Sequence, residues 1–297
     1  MSTITFDTAD VAHPAKPLRA KATKERLPWG NPIVYFFGLV LVAFCMGPVL
    51  YIIFGGFNTG SGLTTNPARF PWPLQWRNYT DILTSSTFWK PAWVSVQAAV
   101  IVTAGVVVFG VCAAFALARY QFKGRGLLYG IFAAGLMFPI SAAITPIYTI
   151  LSRLHLLDTM AGLILPGIAF ALPMTIVILV PFLQAIPHEL EEAALLDGLG
   201  RLGFFTRIAL PLSGPGLITV GTLAFVGSWN GYILPLFIFG THEKPLPLAA
   251  TLVTASQYSA DTARQLAYTS LAMLPAIVFF SFFQRHIVNG MTGAVKG

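Results

Sequence analysis

Charge is what this sequence has least of. Only 10% of its 297 residues are Asp, Glu, Lys or Arg, against roughly 25% in ordinary soluble proteins. Eighteen basic and eleven acidic side chains are too few to cover a soluble domain of this length, while 56% of the residues are hydrophobic and the mean hydropathy is +0.73. Long polar tracts are missing beyond the first thirty residues, which excludes a disordered chain. Cysteine is nearly absent as well. Cys45 and Cys112 lie inside separate apolar runs, too few for a disulfide framework and without metal-ligand spacing, and read as small apolar fillers. The composition is that of an integral membrane protein.

Catalytic constellations are missing too. His188-Glu189 opens a stretch like a metalloprotease helix, but that chemistry needs a second histidine four residues on, and position 192 is Glu. His13, His155, His242 and His286 are scattered along the chain, and no glycine-rich phosphate loop or nucleophile elbow occurs. The sequence therefore predicts no enzyme, no catalytic residue and no metal site.

What is present is a series of long apolar runs. A spanning helix needs about 20 apolar residues to cross ~30 Å of hydrocarbon. Six stretches qualify, at 33–57, 91–118, 127–151, 160–186, 208–239 and 266–283, and none contains Asp, Glu, Lys or Arg. A proton- or sodium-coupled carrier typically keeps ionisable groups inside its spans, so these spans need an outside source of energy. The fifth run exceeds a single crossing and is expected to kink or break near Trp229, Asn230 and Pro235.

With the amino end in the cytoplasm, twelve Lys and Arg residues fall on that side. They are Lys16, Arg19, Lys21, Lys24, Arg26, Arg119, Lys123, Arg125, Arg201, Arg207, Arg285 and Lys296. Six fall outside: Arg69, Arg77, Lys90, Arg153, Lys244 and Arg264. This is the positive-inside bias, and it explains the net charge of +7 as topology rather than nucleic-acid binding. Residues 1–30 lack a cleavage site before a full-length span and are expected to form a cytoplasmic tail. The six helices then occupy 31–290, and 291–297 form a second cytoplasmic tail. The external segment 58–90 carries Trp72, Trp76, Tyr79, Phe88 and Trp89 among prolines. It reads as an interfacial aromatic belt, as a platform for a partner, or as both.

The most informative stretch joins the fourth and fifth runs, IPHELEEAALLDGLGRLGFFTRIALP at 186–211. Pro187 can begin a helix, and Glu189, Glu191 and Glu192 follow where the helix dipole favours negative charge. Gly198 suits the left-handed position just past a helix end. Leu190, Ala193, Ala194 and Asp197 trace a face of small residues, and a second amphipathic turn over 202–208 leads to Leu210 and Pro211. Such a helix can lie along lipid headgroups or seat itself in a cleft of a cytoplasmic partner. Its carboxylates count against the headgroups, which attract basic faces.

This segment resembles the EAA loop of permease subunits of bacterial ATP-binding-cassette importers. The family signature is Glu-Ala-Ala, three residues, Gly, nine residues, then Ile-x-Leu-Pro. It is met by Glu192, Ala193 and Ala194, by Gly198, and by Ile208, Leu210 and Pro211. Phe115-Ala116-Leu117-Ala118-Arg119 with Phe122-Lys123-Gly124-Arg125, Trp229-Asn230, and the carboxyl end from Gln284 to Gly297 are similar to carbohydrate importers of the maltose type, in particular their MalG-like permease. The likeness runs from about residue 78 onward, and Gly231 departs from it where many relatives carry Glu.

The resemblance implies an all-α type I importer permease in a bacterial inner membrane, with both termini cytoplasmic. It implies a heterodimer with a homologous permease, a cytoplasmic ATPase dimer that binds the ATP and Mg, an extracellular solute-binding protein, and no cofactor in this chain. Glu192 would pair with a basic group of the ATPase. Ala193 and Ala194 would pack closely against it, with Asp197, Gly198, Ile208, Leu210 and Pro211 completing the coupling segment, and Gly293, Lys296 and Gly297 would reach the same interface. The cargo implied is a mono- or oligosaccharide, with a polyol, glycerol-phosphate or other small solute as the alternative and a stand-alone carrier as a distant one. Tyr148, Ser228, Trp229 and Asn230 are candidates to line the path, beside Gln97, Ser141 and Thr145. Each can equally be a buried polar group bonding between helices.

Overall fold

The computed structural model describes residues 32–67, 69–240, 244–256 and 261–295. Among these it is helical throughout, with no strand. The helices, in chain order, are α1 Pro32–Gly56, α2 Gly60–Thr65, α3 Arg77–Leu83, α4 Ser86–Arg119, α5 Arg125–Gly135, α6 Ile140–Arg153 and α7 Met160–Gln184. They continue with α8 His188–Leu196, α9 Arg201–Phe204, α10 Leu210–Leu212, α11 Gly214–Trp229, α12 Ile233–Ile238, α13 Leu246–Ser256 and α14 Thr262–Val295. A π-helical turn, Phe205–Ala209, joins α9 to α10. The chain divides into two units, 1–48 and 49–297, with α1 passing from one to the other. In the first unit the described residues are helical.

Four helices, α1, α4, α7 and α14, are long and apolar enough to cross a membrane, and two bent pairs raise the number to six. The six runs of the sequence are thus present, but two are broken. The third was expected as one helix over 127–151. Instead α5 and α6 meet at 102°. Pro139 stands extended before α6, at φ −73° and ψ 134°, and the ring of a proline disfavours helix for the residue ahead of it. The fifth run, 208–239, breaks after Trp229 as its length requires, with α12 beginning at Ile233. Pro235 sits inside α12 rather than at the break. A second bend of 74° falls at Ser213, where Gly214 and Pro215 start a new helix. Helix α13 has no counterpart among the expected spans. It is eleven residues long, too short to cross, yet Leu246, Leu248, Ala249 and Ala250 are buried and the Leu246 amide donates to Ser95 Oγ at 2.7 Å.

Helices α4 and α7 start on side-chain caps. Ser85 Oγ accepts from the Thr87 amide at the head of α4, and Thr159 Oγ1 from the Gly162 amide at the head of α7. α4 and α7 then pack along their length through small residues. A Cβ on Gly105 would overlap Ile168, one on Gly110 would overlap Thr175, and one on Gly167 would lie 3.2 Å from Val102. In lipid there is little hydrophobic force between helices, so backbone approach of this kind supplies the attraction. The carboxyl halves of α4 and α7 share a buried cluster with Phe204 and Ala209, including Ala114, Phe115, Ile176, Leu179 and Leu183. A second cluster gathers Phe88, Ala99, Trp229, Leu246, Ala267 and Tyr268 around α4, α11, α13 and α14.

At the other end of the bundle, Asp158 takes a left-handed backbone, φ 57°, which Asp tolerates better than most residues. Its amide donates to Ile238 O, and its carboxylate accepts from the Gly240 amide at 2.9 Å, tying the loop before α7 to the end of α12. The aromatic residues of 58–90 divide into two kinds. Trp72, Trp76 and Trp89 are exposed, while Phe88 is buried and Tyr79 half-buried. Tyr79 OH donates to Ile53 O at 2.7 Å, and burial pushes its phenol above the ordinary value. Residues 1–30 lie outside the described residues, and α14 runs on through 291–295, where a tail was expected.

Gly110→Leu is expected to destabilise the detergent-solubilised protein by about 1–3 kcal/mol, because the added atoms must displace Thr175 from the α4–α7 contact. Gly130→Leu, where a Cβ meets nothing within 4 Å, serves as the control. Thermal unfolding of the two variants separates them, and equal midpoints would count against packing through Gly110.

Candidate functional site

The 186–211 segment forms a short helix, a turn and a second helix beneath the carboxyl ends of α4 and α7. Pro187 precedes α8 in an extended conformation, and Glu189 and Glu191 lie in the first turn. The helix ends at Asp197, after which Gly198 turns left-handed at φ +80°. The Leu199 amide then donates to Ala194 O at 2.9 Å and the Gly198 amide to Leu195 O at 3.1 Å. These two bonds are the Schellman arrangement, and Ala194 and Leu199 meet in the same apolar cluster, as that motif favours.

The two alanines of the motif separate. Ala194 is buried against Phe204 and its neighbours, whereas Ala193 faces outward. The glutamates separate likewise. Glu191 turns inward to Arg119, the last residue of α4, with Arg119 Nη2 3.1 Å from Glu191 Oε2. Glu192 is exposed and makes no ion pair among the described residues, as are Glu189 and Asp197. Beside these carboxylates stand Leu196, 89% exposed, with Leu195 and Leu202 also open. Ile208 and Leu210 are half-buried against the apolar cluster and Ala209 is fully buried, so this part of the motif holds the segment to the bundle. Pro211 is exposed. The outward surface thus combines free negative charge with bare leucine, which water covers poorly and an apolar, basic partner surface would cover well.

Sequence reasoning missed Arg119 at this site. The signal available was its place: after Lys90 in the first turns, Arg119 is the next charge in the 34-residue α4 and its last residue. Among the described residues it is also the one charged side chain that is buried.

The four path candidates do not converge. A cavity of about 250 Å³ is lined by Val102, Ile140, Phe170, Ala171, Ser228, Gly231 and other apolar residues of α4, α6, α7, α11 and α12, and takes in Ser228 alone of the four. Trp229 is 2% exposed, stacks toward Phe225, and its indole donates to Ala272 O at 3.3 Å, the arrangement of an interhelical core residue. Asn230 is the exposed residue that ends α11, and Tyr148 is 45% exposed on α6. Gln97, Ser141 and Thr145 are exposed. Gly293 lies in the last turns of α14, while Lys296 and Gly297 fall outside the described residues.

Gly198→Val is expected to cost about 1–2 kcal/mol, since a β-branched residue resists the left-handed backbone even though space around it is open. Gly200→Val, at φ −71°, lacks that penalty. Limited proteolysis of the 186–211 segment reports the difference; equal cleavage of both variants would argue against a fixed turn at Gly198.

Comparison with known proteins agrees with this geometry. Residues 107–293 match the family described as binding-protein-dependent transport system inner membrane component. The trehalose transport system permease protein SugB of Mycobacterium tuberculosis is 36% identical over 261 residues, covering 87% of this chain and 95% of that one. The diacetylchitobiose uptake system permease protein NgcG of Streptomyces coelicolor is 32% identical, with 82% of each chain covered. The trehalose/maltose transport system permease protein MalG of Thermococcus litoralis is 30% identical over 89% of this chain and 97% of that one. A chain from the crystal structure of a bacterial ABC transporter involved in the import of the acidic polysaccharide alginate superposes with a TM-score of 0.72 at 24% identity, covering 86% of this chain and 95% of that one. Its fold is therefore the fold seen here. Bundle, family match and relatives meet in one conclusion: the chain belongs to the binding-protein-dependent transport system inner membrane components, the multi-pass permease subunits of ABC importers.

Proposed function

We propose that this chain is one half of the membrane pathway of an ATP-driven importer for a mono- or oligosaccharide. It pairs with a homologous permease, receives its solute from an extracellular binding protein, and seats α8 on a cytoplasmic ATPase dimer. ATP and Mg belong to that ATPase, and this chain carries no cofactor of its own. Both termini lie in the cytoplasm, on the side of α8. The observation that carries the reading is the outward surface of α8, where Glu192, Ala193 and Leu196 stand free on a helix whose opposite face is fixed to the bundle.

Several facts support the remaining parts. The spans carry no Asp, Glu, Lys or Arg to couple transport to an ion gradient. Relatives across most of the chain are named for trehalose, maltose and diacetylchitobiose. Ser228 gives the apolar cavity at α11 a single hydroxyl beside hydrocarbon, a wall against which the C–H face of a pyranose can lie.

The test is affinity purification of the tagged chain from native membranes in mild detergent, followed by mass spectrometry. A second permease, a P-loop ATPase and a sugar-binding protein are expected to come with it. Glu192→Lys is expected to insert normally and to lose most of the ATPase, and with it solute-stimulated ATP hydrolysis. Normal stimulated hydrolysis in that variant would refute the role of Glu192. Recovery of the wild-type chain alone, under conditions that preserve such complexes, would refute the importer assembly.

A further inference from the structure

The Arg119 side chain is 1% exposed within an apolar cluster, where an ion must be paired and hydrogen-bonded to be tolerated. Its donors are spent on one short stretch of chain. Nε donates to Glu191 Oε2 at 3.1 Å and Nη1 to Ile186 O at 2.8 Å. Nη2 approaches the same carboxylate oxygen at 3.1 Å and Pro187 O at 3.5 Å. The acceptors thus lie on both sides of the bend at Pro187, where α7 has ended and α8 begins. The guanidinium also lies 5.4 Å from the ring centroid of Phe204 in α9. One side chain therefore joins the end of α4 to the α7–α8 junction, to the first turn of α8 and to α9.

We propose that Arg119 is a positioning residue for coupling. It fastens α8 to the carboxyl ends of α4 and α7, so that a displacement imposed on α8 is carried into both spans instead of being absorbed in the connecting loop. This rests on the reading of α8 as the helix seated on the ATPase. The helical period supports a division of labour between neighbouring glutamates. Successive residues point about 100° apart, so Glu191 can face the bundle while Glu192 faces the partner. The planar fork of arginine suits a carboxylate and two carbonyls at once, whereas a lysine ammonium is a point charge that cannot span all three. Beyond this latch, α8 is held by Ala194 and by the turn at Gly198, after which Leu199 packs against the same cluster.

The experiment uses the whole transporter in proteoliposomes, with Arg119→Gln, Arg119→Lys, Glu191→Gln and, as the docking control, Glu192→Lys. It measures ATPase retained per permease, hydrolysis with and without loaded binding protein, and solute uptake. Arg119→Gln is expected to retain the ATPase and its unstimulated hydrolysis, while the stimulated-to-unstimulated ratio and uptake fall roughly tenfold. Arg119→Lys should fall nearly as far, and Glu191→Gln only about threefold because the bonds to Ile186 and Pro187 remain. A purely structural role would lower the yield of complex without changing the ratio in what survives. If Arg119→Gln does not accumulate, a folded Glu191→Gln transporter with an unchanged ratio overturns the proposal. A covalent bypass gives a further readout. Arg119→Cys with Glu191→Cys, in a chain whose Cys45 and Cys112 are replaced by Ser, should regain the ratio when bridged by a short dithiol-reactive linker, and failure of the bridged protein to regain it counts against the mechanism. Full stimulation in Arg119→Gln, with ATPase lost from Glu192→Lys, overturns the role of Arg119 alone. Unchanged retention and stimulation in Glu192→Lys overturns the seating of α8 itself.

Discussion

The close approach of α4 and α7 governs the rest of the molecule. Gly105, Gly110 and Gly167 remove the side chains that would hold the two helices apart. The helices therefore run together to the end where Arg119 comes level with Ile186 and Pro187. The position of α8 follows from that meeting, and the inward turn of Ala194 and Glu191 follows from the position of α8. What is left outward is then settled by helical geometry alone: Glu192, Ala193, Leu196 and Asp197. A chain of local contacts thus connects small residues in the hydrocarbon to the charge pattern offered at the membrane surface.

The sequence made the spans and the 186–211 motif legible because both are written in one-dimensional patterns. An uncharged apolar run of about 20 residues has few alternatives to a buried helix, and the 192–211 motif fixes residue types at fixed intervals. Angles were not legible. Pro139 announces an interruption, but only packing selects a bend of 102°, and the bend at Ser213 is hidden in a run that stays apolar through it. Helix α13 escaped because its eleven residues are too few for a span, and Pro245 and Pro247 at its start resemble a loop. The partition of roles within the motif was also out of reach. Glu191 and Glu192 are chemically the same, and only the location of Arg119, 72 residues away in sequence, tells them apart. Trp229 illustrates the same limit. Its position in the fifth run suits a ring lining a path, but stacking toward Phe225 and a bond to the Ala272 carbonyl, within the buried cluster that holds Tyr268, make it part of the core.

Interrupted helices raise a cost that a membrane protein must meet locally, since backbone groups freed in hydrocarbon find no water. The breaks here are arranged accordingly. Pro139 has no amide to lose, and the amides of Met137 and Phe138 are used by Ala134 O and Gly135 O. At Ser213 the amide returns to Ala209 O and the carbonyl accepts from the Leu217 amide, so this residue is bonded to the helix on either side of the bend. After Trp229, the amides of Asn230 and Gly231 close on Val226 O and Ser228 O before α12 begins. The chain changes direction three times without leaving these amides unpaired.

The leucines beside Glu192 have a consequence for how such a chain lives before it is assembled. Leu196 and Leu202 are 89% and 74% exposed on a segment that carries Glu189, Glu192 and Asp197. In a newly inserted subunit they form the kind of sticky surface that chaperones and quality-control proteases recognise. With α8 seated on the ATPase as proposed, the surface that commits the subunit to its partner would also mark an orphaned copy for removal, tying the lifetime of the permease to the supply of that partner.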